Sequence, residues 1–456
     1  MLLFDAGSLP VDILPLIFEH LDDRRDLHTC AQLSKSFNAA ATPILYRSLD
    51  TRIIKAPLSP GRQRPVIIHP ARTLLQKPAY AKYVRYVRET GAIYYSGAEL
   101  LRECYEALRL CTNIEGITWS DDRANGANND QILLGYINIL RQHNLKELTI
   151  RTYLTLSEDV WAELSHLKGL HKVALWVMDG PPRILQGWSE KLGKTLTHLE
   201  LGRCAGVPAS ILVHVISSLP LMQALRLKGA QTSAILEILT VLPHLVFLDT
   251  EYFGSGVSRY VDVPVASLRE LTVRTSSVDV QGPQHLWTWI KQLLPRPSLV
   301  SFTLNAFSTA GDATMPRHFL LDLAHTHRDT LKHFNADSAS LTLEDIECLC
   351  TLFPGLESLS CSVALCHDPR QIEDATTNGH NLRQLRLYTT WVPTRYGTEE
   401  ITIPFEIEHA KNMMLRKGSR LRIIGIGRVV YTRQWTKSRS QDGLELEVVR
   451  DVLEDS

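Results

Sequence analysis

The stretch LTHLELGRC, residues 196–204, carries the pattern on which the fold turns: Leu196, Leu199 and Leu201 are apolar, with polar residues between them. Alternation from Leu199 to Leu201 is the signature of a strand with one buried face. The same apolar-x-x-apolar-x-apolar hexad begins at Leu145 (LKELTI), Leu170 (LHKVAL), Met222 (MQALRL), Leu268 (LRELTV), Leu299 (LVSFTL), Leu356 (LESLSC) and Leu382 (LRQLRL). Weaker copies begin at Val84, Ile114, Leu245, Leu331 and Leu421. From Val84 to Leu382 the steps run from 23 to 32 residues. Their mean is about 27, the period of a small stacked structural repeat.

Helix-like stretches fill the intervals, among them AELLRECYEALRLC (98–111), NDQILLGYINILRQHN (129–144), PASILVHVISSLP (208–220) and LTLEDIECLCTLFP (341–354). Pro220, Pro243, Pro295 and Pro354 each stand where a helix must stop before the next strand. The unit is therefore strand–loop–helix, with parallel strands on one side and helices on the other. A single unit cannot bury its own apolar face, so only a stack is stable. From Leu421 the period breaks. LRIIGIGRVVYTRQWTK, a turn signal at Asp442-Gly443 and LELEVV predict a closing hairpin over 421–456. Lys411, Arg416, Lys417, Arg420, Arg422, Arg428, Arg433, Lys437 and Arg439 make 411–440 basic without one acid. Such a surface suits an acidic segment, a phosphate or nucleic acid. The competing reading is that Asp442, Glu445, Glu447, Asp451, Glu454 and Asp455 lie beside it in the hairpin and cancel the field.

Upstream of the array, 51–70 holds Pro57, Pro60, Pro65 and Pro70 with Gly61, and reads as a linker without secondary structure. Before it stands an apolar block, LPVDILPLIFEHLDDRRDLHTCAQLSKSFNAAATPILYRSLD from Leu9. Ile13, Leu14, Ile17, Phe18 and Leu21 recur at helical spacing. Leu27, Cys30, Ala31 and Leu33 suggest a second helix, and Phe37, Ala40 and Ala41 a third. Pro43 is expected to start a separate short segment. Pro15 is tolerable only in a first helical turn. Three short helices bury little core alone. The block therefore needs a partner surface, either another protein or the repeat array that it would then cap.

Composition excludes several classes. Hydrophobic residues are 44% and charged residues 21%, so the chain is neither disordered nor collagen-like. Lys+Arg and Asp+Glu are 49 each, so no net attraction to nucleic acid or membrane is implied. No apolar run is long enough to span a bilayer, and MLLFDAGSLP is a poor signal peptide. Eight unevenly spaced cysteines read as reduced thiols of an intracellular protein. Cys348, Cys350, Cys361, Cys366 and His367 crowd together, but their spacings are not those of a zinc site, and core cysteine is the expectation. His325 and His327, two apart on a helix, are expected to be solvated or capping. No serine-nucleophile elbow, dinucleotide fingerprint or phosphate-binding loop is present. Trp119, Trp176, Tyr388 and Trp391 near the strands are either substrate anchors or core.

The N-terminal block resembles the F-box motif. The matching features are Leu9-Pro10, Ile13-Leu14, Ile17, Leu21, Leu27, Leu33-Ser34, Phe37 and Pro43-Ile44-Leu45-Tyr46. The remainder looks like the divergent leucine-rich repeats of fungal F-box proteins, most fully at LTHLELGRC. The fold class implied is α/β. An F-box-like three-helix module (7–50) and linker (51–70) would precede an irregular leucine-rich-repeat solenoid (71–420) of parallel strands and outer helices, closed by a C-terminal hairpin cap (421–456). The resemblance implies a non-catalytic substrate receptor of a Skp–cullin–F-box ubiquitin ligase. Leu9, Pro10, Ile13, Leu14, Ile17, Leu21 and Leu33 would meet a Skp-type adaptor or hold the docking surface, and cullin would be reached through it. The repeats would hold an unknown protein substrate. It implies no cofactor, no metal, no membrane and no nucleic acid, and a place in the cytoplasm or nucleus. The alternative is a repeat scaffold that binds a protein outside any ligase.

Overall fold

The structure, a computed structural model, describes residues 10–21, 23–59, 62–90, 93, 97–121, 130–177, 187–254, 266–275, 283–306, 313–396, 399–401, 403–437 and 444–452. The chain divides into two compact units, Met1–Gly206 and Val207–Ser456, so the division falls inside the repeat region.

In the first unit, three helices come first: α1 (Leu14–Phe18), α2 (Arg24–Leu33) and α3 (Lys35–Leu45). Strand β1 (Ser48–Asp50) follows, then β2 (Arg52–Ser59) and β3 (Arg62–Ile68). Next come α4 (Ala71–Gln76), a 3-10 segment (Pro78–Tyr83) and β4 (Tyr86–Thr90). Helix α5 (Ala98–Leu110), β5 (Gly116–Asp121), α6 (Asp130–Leu140), β6 (Glu147–Thr152), α7 (Glu158–Leu164), β7 (Lys172–Val177), α8 (Trp188–Leu192) and β8 (His198–Leu201) complete the unit. Strands β1, β4, β5, β6, β7 and β8 pair in parallel in that order. The fourth hexad residues stand in one lateral row, Val87–Ile117–Leu148–Val173–Leu199, which Leu49 of β1 extends, and all six are buried. Each such side chain contributes about 1.5–3 kcal/mol on leaving water.

The second unit repeats the plan with α9 (Ala209–Ser217), β9 (Ala224–Leu227), α10 (Thr232–Val241), β10 (Phe247–Tyr252), β11 (Glu270–Thr275), α11 (Pro283–Leu293) and β12 (Ser301–Ala306). It continues with β13 (Ala313–Thr314), α12 (Arg317–His327), β14 (His333–Leu341), α13 (Leu343–Leu352), β15 (Ser358–Cys366), α14 (Pro369–Ala375) and β16 (Gln384–Trp391). It ends with a small ribbon, β17 (Thr394–Tyr396) and β18 (Glu399–Ile401), then α15 (Ile407–Leu415), β19 (Ile423–Ile426), β20 (Val429–Lys437) and β21 (Leu444–Val452). Its buried row is Leu225–Leu248–Leu271–Phe302–Phe334–Leu359–Leu385–Ile424. Successive helices pack on one another from α4 to α7 in the first unit and from α9 to α15 in the second, the strand–helix arrangement of leucine-rich repeats.

All thirteen hexads, strong and weak, lie where strands begin, and each strand starts two residues after its hexad's first residue. That first residue is buried in every copy, from Val84 to Leu421. The named prolines sit two or three residues beyond α9, α10, α11 and α13. Helix α13 carries a capping box, with the Thr342 side chain and Asp345 serving each other's backbone N–H groups.

Three local expectations change. The 51–70 stretch is not a structureless linker, because β2 and β3 pair antiparallel across it. Pro57 and Pro65 lie in this two-stranded ribbon, where no further neighbouring strand requires every N–H. Pro43 does not open a new segment; it sits inside α3, two residues before its end. The strand expected from Leu421 breaks after Ile426. There Gly427, at φ +58°, takes the first central place of a two-residue loop. β19 thus continues the parallel sheet, and β20 turns back to pair with β21.

Candidate functional site

The N-terminal helices build a small core of their own. Leu14, Phe18, Leu27, Ala40 and Ala41 are buried, with Leu21, Cys30, Ala31, Phe37, Ile44 and Leu45 packed around them. Phe18 and Phe37 rings stand 5.4 Å apart. Pro15 falls in the first turn of α1, which lasts only five residues. Asp23 caps α2 through the Arg25 N–H, at 2.8 Å. Ser34 caps α3 through the Phe37 N–H, at 3.2 Å. Strand β1 follows α3 at once and pairs with β4, so the module is continuous with the sheet. Arg24 bridges to Asp50 (3.0 Å) and donates to the Ser48 carbonyl (2.7 Å), and Arg47 meets Glu19 (3.5 Å). Tyr46 packs on Tyr80 with centroids 4.8 Å apart.

These attachments use polar and aromatic groups and leave an apolar set outside. Of the residues expected at the docking surface, Pro10, Ile13 (38% exposed), Ile17 (42%) and Leu33 (66%) face solvent. Leu14 is a core residue and Leu21 lies half-buried beside it. Leu9 lies outside the described residues. The structure adds Val11 and Leu16, which are 56% and 62% exposed. Sequence periodicity passed over both because it assumed one apolar helical face. A five-residue helix flanked by turns presents apolar side chains on more than one side.

A second cluster lies in the first unit and was not foreseen. The His69 ring accepts the Ala71 N–H at Nδ1 (3.0 Å), so its proton sits on Nε2 and is donated to Glu89 Oε1 (2.8 Å). The Thr51 hydroxyl donates to the other Glu89 oxygen, and Cys104 Sγ stands 3.3 Å from His69 Nδ1. Tyr136 closes the group. The order Cys–His–Glu resembles a nucleophile relay, but the chemistry does not follow. Burial, reinforced by the Glu89 charge, pushes the Cys104 thiol far above the ordinary range, which keeps it a thiol. His69, Glu89, Cys104 and Tyr136 are buried, and Thr51 is half-buried. The cluster replaces a hydrophobic contact, since Glu89 occupies the sixth hexad position. That Glu in an apolar slot was the signal available in the sequence.

The remaining candidates resolve individually. Cys350, Cys361 and Cys366 are buried, and burial raises the first to about 12 and the last to about 11. All eight cysteines are free, and among the described residues no three His, Cys, Asp or Glu side chains form a metal-holding group. His325 is solvated, but His327 is neither solvated nor a cap. It is 1% exposed and accepts the Leu299 N–H at 3.4 Å. Burial lowers its pKa from 6.5 to about 4. Between those values the unfolded chain binds a proton that the folded chain refuses. The second unit should therefore lose up to about 3 kcal/mol as pH falls from 6.5 to 4, with no contribution above that window. Urea titrations of wild type and His327→Gln at pH 7 and 4.5 should show this: the variant loses less stability on acidification, and equal losses would contradict the assignment.

Trp119 is core. Trp176 is half-buried against Arg151, and Tyr388, on the solvent side of its sheet, lies against Arg386. No helix among the described residues is long and apolar enough to cross a membrane.

At Arg433 the expected cancellation by the acidic strand does not occur. In the β20–β21 register Gln434 stands opposite Glu447 and Val430 opposite Asp451. Arg433 and Trp435 stand opposite Val448 and Leu446. Opposed residues share a face and neighbours alternate, so Glu447 and Asp451 project from the face opposite to Arg433. Asp442, Glu454 and Asp455 lie outside the described residues.

Residues 6–52 match the F-box-like family, which defines the class of the N-terminal module. No curated protein matches the chain. Among solved structures, a chain of the crystal structure of the Rad7 and Elc1 complex in yeast is similar at 13% identity and TM-score 0.43, over 69% of this chain and 73% of that one. A chain of the TLR13–ssRNA13 complex is similar at 14% identity and TM-score 0.40, over 76% of this chain and 53% of that one.

Proposed function

We propose that this chain is a substrate-recruiting subunit of a Skp–cullin–F-box ubiquitin ligase. The observation that carries the reading is the exposed apolar set Val11, Ile13, Leu16, Ile17 and Leu33 on a module that already has its own core and its own attachment to the sheet. A module serving only as a cap would turn those side chains toward the repeats. Apolar side chains clustered on a small F-box-like module are the anchors expected of a protein interface. Pro10, Ile13, Ile17 and Leu33, with Leu9, would meet the Skp-type adaptor, and Leu14 and Leu21 would hold the surface in shape. Cullin would join through the adaptor, in the cytoplasm or nucleus, and the repeats would carry the protein substrate.

The chain would do no chemistry itself. Its contribution is positional: a bound substrate is held at high effective concentration near the ubiquitin-loaded enzyme. Co-expression with a Skp-type adaptor and cullin tests this. A stable assembly of all three is expected on size exclusion. A folded chain that elutes alone would contradict the reading and favour a repeat scaffold acting outside a ligase.

A further inference from the structure

In both units, the residue just before each strand forms a lateral row, tied backbone to backbone between neighbouring repeats. In the first unit the row contains Arg85, Glu115 and Lys146. Lys146 N–H donates to the Glu115 carbonyl at 2.7 Å, and Glu115 N–H to that of Arg85 at 2.7 Å. Their side chains neutralise one another, with Glu115 lying 3.6 Å from Arg85 and 3.3 Å from Lys146. The same arrangement recurs in the second unit at Lys332, Glu357 and Arg383. Glu357 lies 3.2 Å from Lys332 and 3.5 Å from Arg383.

The row then continues without an acid. Arg422 N–H donates to the Arg383 carbonyl at 2.8 Å, and Arg433 N–H to that of Arg422 at 2.9 Å. Three arginines thus stand side by side at the spacing of neighbouring strands, about 5 Å. Arg420 joins them from the loop before β19. Arg433 donates to the Met414 and Ser419 carbonyls, at 3.2 and 3.4 Å, which fixes its position without neutralising its charge. Among the described residues no acid pairs with Arg420, Arg422 or Arg433. Like charges held this closely repel one another, and a bound anion relieves that repulsion.

Together Arg383, Arg420, Arg422 and Arg433 line an open cavity of about 590 Å³, bounded also by Trp435 and Leu446. Trp435 is 68% exposed, and it faces Leu446 across the hairpin. We infer that this cavity binds a peptide segment in which a phosphate or carboxylate stands next to an apolar side chain. Guanidinium groups take either anion through paired hydrogen bonds. The Trp435–Leu446 wall takes the apolar neighbour. The volume falls in the range of a discrete ligand pocket, roughly 300–1,000 Å³. A nucleic acid strand fits less well. The charge is confined to one cavity on a chain of zero net charge, and a polyanion rounding the hairpin would meet Glu447 and Asp451. Binding to this cavity is independent of the adaptor reading; only the identification of the peptide as a ligase substrate rests on it.

The test uses the immobilised full chain and degenerate peptide libraries with a fixed central phosphoserine, aspartate or serine. Inorganic phosphate serves as competitor, and a twelve-residue oligothymidylate as a separate probe. The phosphoserine library should be retained over the serine library, enriched in apolar residues beside the anion, and displaced by phosphate. Retention of the aspartate library to the same extent would assign a carboxylate ligand instead of a phosphate. Arg420→Glu/Arg422→Glu should lower retention tenfold or more, and Trp435→Ala several-fold, at unchanged melting temperature. Arg85→Glu in the first unit should change nothing. No retention of either anionic library, retention indifferent to the Arg420 and Arg422 changes, or binding of the oligonucleotide alone would overturn the inference. Adaptor binding is unaffected by any of these outcomes, so the two readings fail separately.

Discussion

Ile13→Asp/Ile17→Asp should weaken binding to a Skp-type adaptor by about 100-fold or more while leaving the melting temperature of the free chain unchanged. Both side chains face solvent on α1 and the turn before it, so the folded chain gives up little when they become polar. At an interface the balance reverses. An apolar anchor buried on binding is worth about 2 kcal/mol or more, and each 1.4 kcal/mol is tenfold in affinity. Aspartate adds the desolvation of a charge. Leu14→Ala is the counterpart. Leu14 is buried with Phe18 and Leu27, so its truncation should destabilise the module by about 2–5 kcal/mol and weaken binding only through unfolding. Calorimetric titration together with thermal melts separates the two. Equal loss of stability in both variants would show that Ile13 and Ile17 are core residues. Unchanged affinity in the Asp variant would remove α1 from the docking surface.

The second large effect belongs to the buried pair in the first unit. His69→Leu leaves the buried Glu89 carboxylate with only the Thr51 and Tyr136 hydroxyls near it. Removing one partner of a buried pair costs about 3–5 kcal/mol, whereas replacing both with apolar residues of similar size is often neutral. The double change His69→Leu/Glu89→Leu should therefore recover most of what His69→Leu loses. Trp119 provides the readout, since it lies in the same core with its ring centroid 6.0 Å from that of Tyr136. Its fluorescence during urea unfolding should rank wild type and the double variant together, with His69→Leu well below. A double variant as unstable as the single one would mean that the pair supplies net stability, and that the site is not simply a polar substitute for an apolar contact.

Much of this fold is written in the hexads because two signals agree there. Period-two alternation sets which side chains go inward, and the regular step between copies sets which strands become neighbours. Even the weak copies at Ile114 and Leu245 locate strands correctly. The signal failed where local pattern and tertiary partner diverge. The proline-rich stretch after Asp50 lacks periodicity, and its ribbon is held by pairing between β2 and β3. Glu89 sits in an apolar slot, and only His69, twenty residues earlier, explains it. The charge balance of the C-terminus depended on a register that composition does not contain: a shift of one residue in β21 would have put Glu447 opposite Arg433 or Trp435.

The docking site was legible in part. Leu9 to Leu33 carry the motif, but a motif does not separate residues that face a partner from those that hold the module together. Leu14 and Ile17 fill equivalent places in the sequence pattern, yet one is core and the other exposed. The distinction arises from α1 being one short turn of helix against α3, which only packing defines.

Hydrogen–deuterium exchange of the full chain, with and without a Skp-type adaptor, tests the central claim most directly. A 1:1 complex is expected in which new protection is concentrated between Pro10 and Ser34, with the repeat strands unchanged. A folded chain that gains no protection there, or gains it only along the repeats, would contradict it.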